Sequence, residues 1–488
     1  MNPIKNIVII TIDSLRYDHT SLANYVRDTT PFLKHLAQRG LELKNHYSNA
    51  PYTMASIHSI VFSIYPLVPG FEYYKMKHIL TMPNLINTLR SNGYFTILVH
   101  SNPWFKLYGF DRLFNISIDP FDKLKLGKTS TNNSMIIKNV FSKFSYICNI
   151  IYNILVKEKK KLTLLKLNSF LQYFKSTLYH YDYKPYATSQ TINYFLEKIM
   201  HYIDKSISSR RKQGILIWLH YMDVHEPYIP EKMYYARSLS PSEILYLMSL
   251  RIKLPERVHK QERQKIIDLY DSCIRQVDEN IREAIAMLER YLDFDNTLIL
   301  ITSDHGEALG ERGIYGHGGQ GRKILLYEEL VRIPLVMCAP SYWSWREELK
   351  CISECKNSSH VDIAPTIMSL IKLKKPKTFL GNNLFECSSY NEVVIQALEL
   401  WDPHDFSDAS KGIKKQAYIH GKYKLIIGSK GSVELYDLEK DPNEAINLAL
   451  TKPELVRYLY SKLERKVAGI NRRFLKLKIK HLLKRRLW

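Results

Sequence analysis

Three apolar runs in this chain end in residues that can hold a cation or move a proton. Asn6–Ile12 runs into Asp13-Ser14-Leu15-Arg16, Gly214–Tyr221 into Met222-Asp223-Val224-His225, and Thr297–Thr302 into Ser303-Asp304-His305-Gly306-Glu307. Hard carboxylates joined by an imidazole suit a divalent cation. A cation so held neutralises an anionic ester and lowers the pKa of a hydroxyl bound to it. Taken alone, each acid reads as a helix cap or a turn residue. Their recurrence at successive strand ends is what points to a site.

The elements that must position these residues are those of a parallel α/β sheet, which presents ligands at the carboxyl ends of its strands. Helices are expected at Pro31–Gly40 and Pro83–Gly93, each opened by proline and closed by glycine, with a strand at Tyr94–His100. The alternation continues with a helix at Thr188–Ile203 and a long one at Glu262–Tyr291, where Ile266, Leu269, Cys273, Val277 and Ile281 share a face. A strand at Arg332–Ala339 and a helix at His360–Ile371 follow. This order predicts a doubly wound, mostly parallel sheet flanked by helices. Residues 121–186 are rich in Lys, Asn and Tyr and break the pattern; they read as a variable basic insertion in a catalytic domain spanning residues 1–390. Strands at Gln416–Leu425 and Val433–Tyr436 and a helix at Pro453–Ala468 predict a small antiparallel subdomain over residues 391–470. A basic amphipathic tail, residues 471–488, completes the chain.

Bulk properties narrow the partners. Among 488 residues, 45% are hydrophobic and 24% charged, which excludes a largely disordered chain. A net charge of +22 favours anionic partners. Much of it lies in Lys157–Lys166 and in Arg472–Trp488, with no nucleic-acid motif at either, so no nucleic acid is expected. In the tail, basic and apolar residues interleave, which suits either a helix on an anionic membrane surface or a solvated terminal helix. Cys148, Cys273, Cys338, Cys351, Cys355 and Cys387 make no disulfide framework and read as reduced thiols. No apolar stretch approaches the ~20 residues of a membrane span. The expectation is a cytoplasmic protein, peripheral to a membrane at most.

Several motifs carry a resemblance. Asp13-Ser14-Leu15-Arg16 with Asp18, Ala50-Pro51-Tyr52-Thr53-Met54-Ala55-Ser56 running to Tyr65-Pro66, and Asp223-Val224-His225-Glu226-Pro227-Tyr228 come first. Ser303-Asp304-His305-Gly306-Glu307, Gly316-His317-Gly318, Leu326-Tyr327-Glu328-Glu329, Val361-Asp362-Ile363-Ala364-Pro365-Thr366 and Leu435-Tyr436-Asp437-Leu438 follow. In this order they resemble the bacterial sulfatases of the alkaline-phosphatase-like superfamily, over most of the chain outside residues 121–186 and the tail. The resemblance implies that Asp13, Asp304 and His305 hold one divalent metal ion, with Ca²⁺, Mg²⁺ or Mn²⁺ expected from the carboxylates and Zn²⁺ admitted by His305. It implies that His225, His317 and Lys323 contact the transferring group or the leaving oxygen, and that Thr53 stands at the nucleophile position.

Two departures from the family pattern bear on the chemistry. Sulfatases carry at that position a Cys or Ser that is oxidised to formylglycine, and Thr53 cannot be. A threonine alkoxide can attack phosphorus and form an ester that water or an acceptor alcohol resolves. A sulfated threonine is harder to resolve, because the formylglycine hydrate expels sulfate through its second hydroxyl. Ala55, Ser56 and Ile57 stand where the family has Pro and then Ser with a basic residue, and Ser14 replaces a second Asp. Three readings follow: a metal-dependent hydrolase of sulfate or phosphate esters on a saccharide or lipid-linked glycan; a phosphoethanolamine- or phosphoglycerol-type transferase; or a weakly active homologue that binds a polyanion.

Overall fold

The computed structural model describes residues 4–75, 79–120, 188–207, 214–235, 239–253, 255–317, 324–338, 357–386, 392–399 and 413–485. The insertion read at 121–186 therefore lies outside the described residues, as do Lys323, Cys148, Cys351, Cys355 and Cys387. Cys273 and Cys338 are free thiols.

Strands β1 (Asn6–Ile12), β2 (Leu41–Glu42), β3 (His46–Tyr47), β4 (Phe95–His100), β5 (Ile116–Ile118), β6 (Ile215–Tyr221) and β7 (Thr297–Ser303) precede a short hairpin of β8 (Ala308–Leu309) and β9 (Tyr315–Gly316). Then come β10 (Arg332–Ile333), β11 (Leu335–Cys338) and β12 (Ser358–Ser359). The central sheet has the order β2-β11-β7-β1-β6-β4-β5. Its β7-β1-β6-β4-β5 portion is parallel, and β11 with β2 closes one edge antiparallel. The strand expected at Arg332–Ala339 is interrupted at Pro334, which has no N–H for the ladder, so its first two residues join β3 instead.

Helices cover both faces: α1 (Pro31–Arg39), α2 (Thr53–Phe62), α3 (Leu85–Ser91), α4 (Ser189–Ile207), α5 (Pro241–Lys253), α6 (Lys260–Leu288), the single turn α7 (Glu328–Val331) and α8 (Ile363–Leu370). Successive residues of a strand point to opposite faces. Ile7 and Ile9 of β1 accordingly join a core with Ile57, Ile60 and Val61 of α2 and Ile363 and Ile367 of α8. Val8, Ile10 and Ile12 join a second core with Leu196 of α4 and Leu269, Cys273 and Val277 of α6. Helix α6 also caps α1: the Asp278 carboxylate accepts from the backbone N–H of Phe32 at 2.8 Å and of Leu33 at 2.9 Å. The register decides the site. Ile12 lies beside Tyr221 on one side and Ser303 on the other, so the residues after β1, β6 and β7 emerge together at one edge of the sheet.

Strands β13 (Glu392–Glu399), β14 (Ile413–His420), β15 (Tyr423–Gly428) and β16 (Val433–Asp437) form a separate antiparallel meander. The single strand expected over Gln416–Leu425 is corrected here. The chain reverses at Gly421 and Lys422, so that His420 pairs with Tyr423 and Ile419 with Lys424. Gly421 has φ 58, the left-handed value that a two-residue hairpin loop of this kind needs. Helix α9 (Pro453–Arg485) runs through the point where the sequence suggests a separate tail. Phe474 on it is buried, its ring 4.8 Å from that of Phe71. Among the described residues no helix is long and apolar enough to cross a membrane.

Candidate active site

Thr53 is the first residue of α2, a helix whose ten residues are all buried. No side chain caps its first turn, so that turn directs its N–H groups and the positive end of the helix dipole at whatever lies beside Thr53. The segment before it is braced: Ser48 and Ser56 both donate to the Ala50 carbonyl, at 2.7 and 3.0 Å. Asn49 ties it to the C-terminal sheet by donating to the Val394 carbonyl at 2.8 Å. The Thr53 hydroxyl donates to Asp13 Oδ2 at 3.1 Å and lies 3.3 Å from His305 Nε2.

Asp13, Asp304 and His305 are fully buried, and one ligand atom from each lies within 4.8 Å of the others. His305 donates through Nδ1 to the Gly306 carbonyl at 2.8 Å, which leaves Nε2 as the lone-pair nitrogen facing Asp13 and Thr53. Asp304 Oδ1 accepts from the N–H of Ser14 and of His305, while its Oδ2 is buried without a hydrogen-bond partner. Ser14 reaches this position at φ 63, and its hydroxyl donates to Asp13 Oδ1 at 2.9 Å. Burial pushes the Asp304 carboxyl well up, and the neighbouring Asp13 carboxylate adds to the rise. Burial acts on Asp13 in the same direction, but His225, His220 and His305 outweigh it and hold Asp13 well below the usual carboxylate range. Two buried carboxylates so close ionise together only beside added positive charge. The oxygen–oxygen–nitrogen donor set and the orphaned Asp304 oxygen fit a divalent cation.

Two further imidazoles stand beside this set. The His317 ring centroid lies 4.3 Å from that of His305 and 5.1 Å from that of His225. Burial opposes protonation of His317, but the Glu307 carboxylate, 3.3 Å from its Nδ1 and itself fully buried, wins and raises it to about 9. His225 donates through Nδ1 to the Glu226 carbonyl at 2.6 Å, which makes Nε2 its basic nitrogen. The next residue is pinned from beneath: the buried Arg251 of α5 pairs with the Glu226 carboxylate and lies over the Tyr228 ring at 4.8 Å.

The structure brings together Asp13, Thr53, His225, Asp304, His305 and His317; Lys323 falls outside the described residues. Sequence reasoning passed over four contributors. Glu307 stood inside a quoted motif without a role. His220, a polar residue inside an apolar run, offered a signal: Trp218 donates to the Thr11 hydroxyl at 3.0 Å, that hydroxyl lies 2.8 Å from His220 Nδ1, and His220 Nε2 lies 3.3 Å from Asp13 Oδ2. The consistent assignment is a relay in which His220 donates to Asp13 and orients it. Asn102 adds a longer contact to the same oxygen at 3.4 Å. Arg251 comes from a stretch without any motif.

Comparison with known proteins decides the family. The sulfatase family pattern matches residues 5–373, and the C-terminal pattern of N-sulphoglucosamine sulphohydrolase matches residues 315–472. The chain belongs to the sulfatase family. This member is 29% identical to the uncharacterised sulfatase YidJ of Escherichia coli over 180 residues, which are 37% of this chain and 33% of that protein; the match thus spans about a third of that relative's length. In fold it is similar to the phosphonate monoester hydrolase of Agrobacterium radiobacter, with a TM-score of 0.63 at 16% identity over 96% of each chain. It is also similar to a protein solved in complex with its substrate D-glucosamine-2-N,6-O-disulfate, with a TM-score of 0.61 at 16% identity over 96% of this chain and 98% of that one.

Proposed function

We propose that this sulfatase-family member is a metal-dependent hydrolase of an anionic ester carried on a saccharide, with Thr53 as the attacking group. The observation that carries the reading is the position of the Thr53 hydroxyl. It sits at the amino end of a buried helix, within hydrogen-bonding distance of both Asp13 and His305. Asp13, Asp304 and His305 would hold the metal ion, which supplies charge neutralisation for the ester and a lowered pKa for the hydroxyl. The Thr53 hydroxyl passes its proton to Asp13 Oδ2, its hydrogen-bond acceptor, as Oγ bonds to the phosphorus or sulfur and the ester bond breaks, and His317, whose proton Glu307 helps hold, is placed to give that proton to the leaving oxygen. His225 Nε2 offers a base for the water that then releases the group from Thr53.

Chemistry favours phosphorus over sulfur, since Thr53 lacks the second hydroxyl through which a formylglycine hydrate expels sulfate. The saccharide reading is supported by the structural neighbour solved with its substrate D-glucosamine-2-N,6-O-disulfate. Hydrolysis of aryl sulfate, phosphate monoester and phosphodiester probes, by the wild type and by Thr53→Ala across Ca²⁺, Mg²⁺, Mn²⁺ and Zn²⁺, tests the reading. The expected result is metal-dependent turnover of a phosphorus ester that Thr53→Ala lowers by about three orders of magnitude or more. Sulfate turnover that survives the substitution would reject Thr53 as the nucleophile and assign the attack to water.

A further inference from the structure

A cavity of about 350 Å³ lies where helix α9 crosses the catalytic body, and it is not the site around Thr53. Tyr65 and the buried Asp362 form its floor, and α9 supplies Arg465, Gly469 and Arg473 along its rim. Tyr65 follows the carboxyl end of α2, whose ten residues begin at Thr53. At 1.5 Å per residue the two sites are separated by roughly 15 Å, one helix length.

The charges around this cavity are unevenly matched. Its carboxylates are engaged: Glu392 pairs with Lys466 at 3.1 Å, and Asp362 accepts from the backbone N–H of Ser359 and Asn382, each at 2.9 Å. The rim guanidiniums have no carboxylate partner among the described residues. Arg465 bonds to the carbonyl and hydroxyl of Ser461, one turn back on its own helix, and Arg473 donates to the carbonyls of Lys377 and Phe379. A glycine inside a helix costs about 0.5–1 kcal/mol relative to alanine, yet a Cβ at Gly469 would meet nothing within 4 Å. Gly469 is exposed at the cavity mouth, so a larger side chain there would project into that opening.

We propose that this cavity is a second binding site, for a sugar unit that carries a sulfate or carboxylate group. Guanidiniums with no carboxylate partner among the described residues match the planar, bidentate demands of an oxyanion. The adjacent Asp362 and Glu392 repel a bare anion but accept hydrogen bonds from sugar hydroxyls. The volume falls at the small end of ligand sites, which span roughly 300–1,000 Å³. The inference rests on the saccharide reading of the substrate and extends it: one acidic unit of a chain is held beside α9 while another is cleaved at Thr53.

The test is calorimetric titration of the full chain with N-acetylglucosamine 6-sulfate, N-acetylglucosamine and inorganic sulfate, all in chelator so that metal-dependent binding at Thr53 does not contribute. The sulfated sugar is expected to bind, Gly469→Leu to abolish that binding, and Arg465→Gln to weaken it about tenfold. Leucine is a good helix former and enters empty space, so Gly469→Leu should fold; an unchanged thermal midpoint and undiminished aryl-ester turnover in metal verify this. Three outcomes overturn the proposal: no binding in chelator, binding that survives Gly469→Leu, or equal affinity for either control ligand. Failure of the wild type to turn over any ester probe would sink the hydrolase reading and leave the binding result standing.

Discussion

Lys424 offers the sharpest energetic test of how the C-terminal sheet is held. It is fully buried on β15, with its Nζ 3.0 Å from Glu328 of α7 and 3.0 Å from Glu444. One ammonium cannot neutralise two carboxylates. Burial accordingly raises Glu444 to about 7, against an ordinary value of 4.5, although Lys424 pulls the other way. The folded state therefore holds this proton more tightly than the unfolded chain does. The stability it contributes is fully present below about pH 4.5 and is lost as pH rises through about 7. The gap between the two values, at about 1.4 kcal/mol per pH unit, is on the order of 3 kcal/mol. Lys424→Met leaves two facing carboxylates, one fully buried, and should cost about 3–5 kcal/mol at pH 8, less at pH 6. Glu444→Gln should already gain about 2 kcal/mol on the wild type at pH 6, gain more at pH 8, and lack the wild type's decline with rising pH. Urea unfolding midpoints from pH 5 to 8.5 measure all three proteins. Parallel pH profiles for the wild type and Glu444→Gln, or a Lys424→Met loss below about 1 kcal/mol at pH 8, would refute the reasoning.

Other outcomes follow from the same geometry. Arg251→Met frees the segment that carries His225 and should lower kcat about 10–100-fold at a nearly constant KM, the size of effect seen when a supporting residue is lost. Arg251→Lys keeps a positive charge beside Glu226 and should recover part of that rate in steady-state kinetics; a loss equal to that of Arg251→Met would show that charge does not position the segment. Divalent metal at about a hundred times its Kd should stabilise the wild type by about 2.7 kcal/mol, and Asp304→Asn should abolish that thermal shift. Asp278→Ala removes the acceptor for two N–H groups at the start of α1 and should cost about 1–2 kcal/mol in chemical denaturation.

The parallel sheet and the grouping of Asp13, Asp304 and His305 were legible because their signals are local. An apolar run of strand length followed by an acid or histidine states both the strand and the group it delivers, as at Asp13 and at Asp304 with His305. Thr53 is singled out through its neighbours' resemblance to a family segment rather than through its own residue type. What stayed hidden depends on tertiary pairing. The relay from Trp218 through Thr11 to His220 joins β1 to β6 in register, and no spacing in the chain announces that register. Arg251 reaches Glu226 from α5, so only the packed structure makes it a neighbour. The hairpin at Gly421 was missed for a different reason: apolar residues on both sides continue the strand pattern, and the two-residue loop is a single glycine-containing step within it.

Helix α7, a single turn, joins two regions that the chain keeps far apart. Its Glu329 and Leu330 carbonyls accept from the N–H groups of Glu307 and Gly306, immediately after Asp304 and His305. Gly306 fits so closely that a Cβ would lie 2.1 Å from the Glu329 carbonyl oxygen. One residue earlier, the Glu328 side chain holds Lys424 of the C-terminal sheet. The meander is therefore a buttress for the reaction centre, and a chain shortened before it would lose rigidity at Asp304 and His305 as well as its own hydrophobic contacts. Recombination between relatives should then treat residues 304–330 and the strand bearing Lys424 as a single heritable block, even though about a hundred residues separate them in sequence.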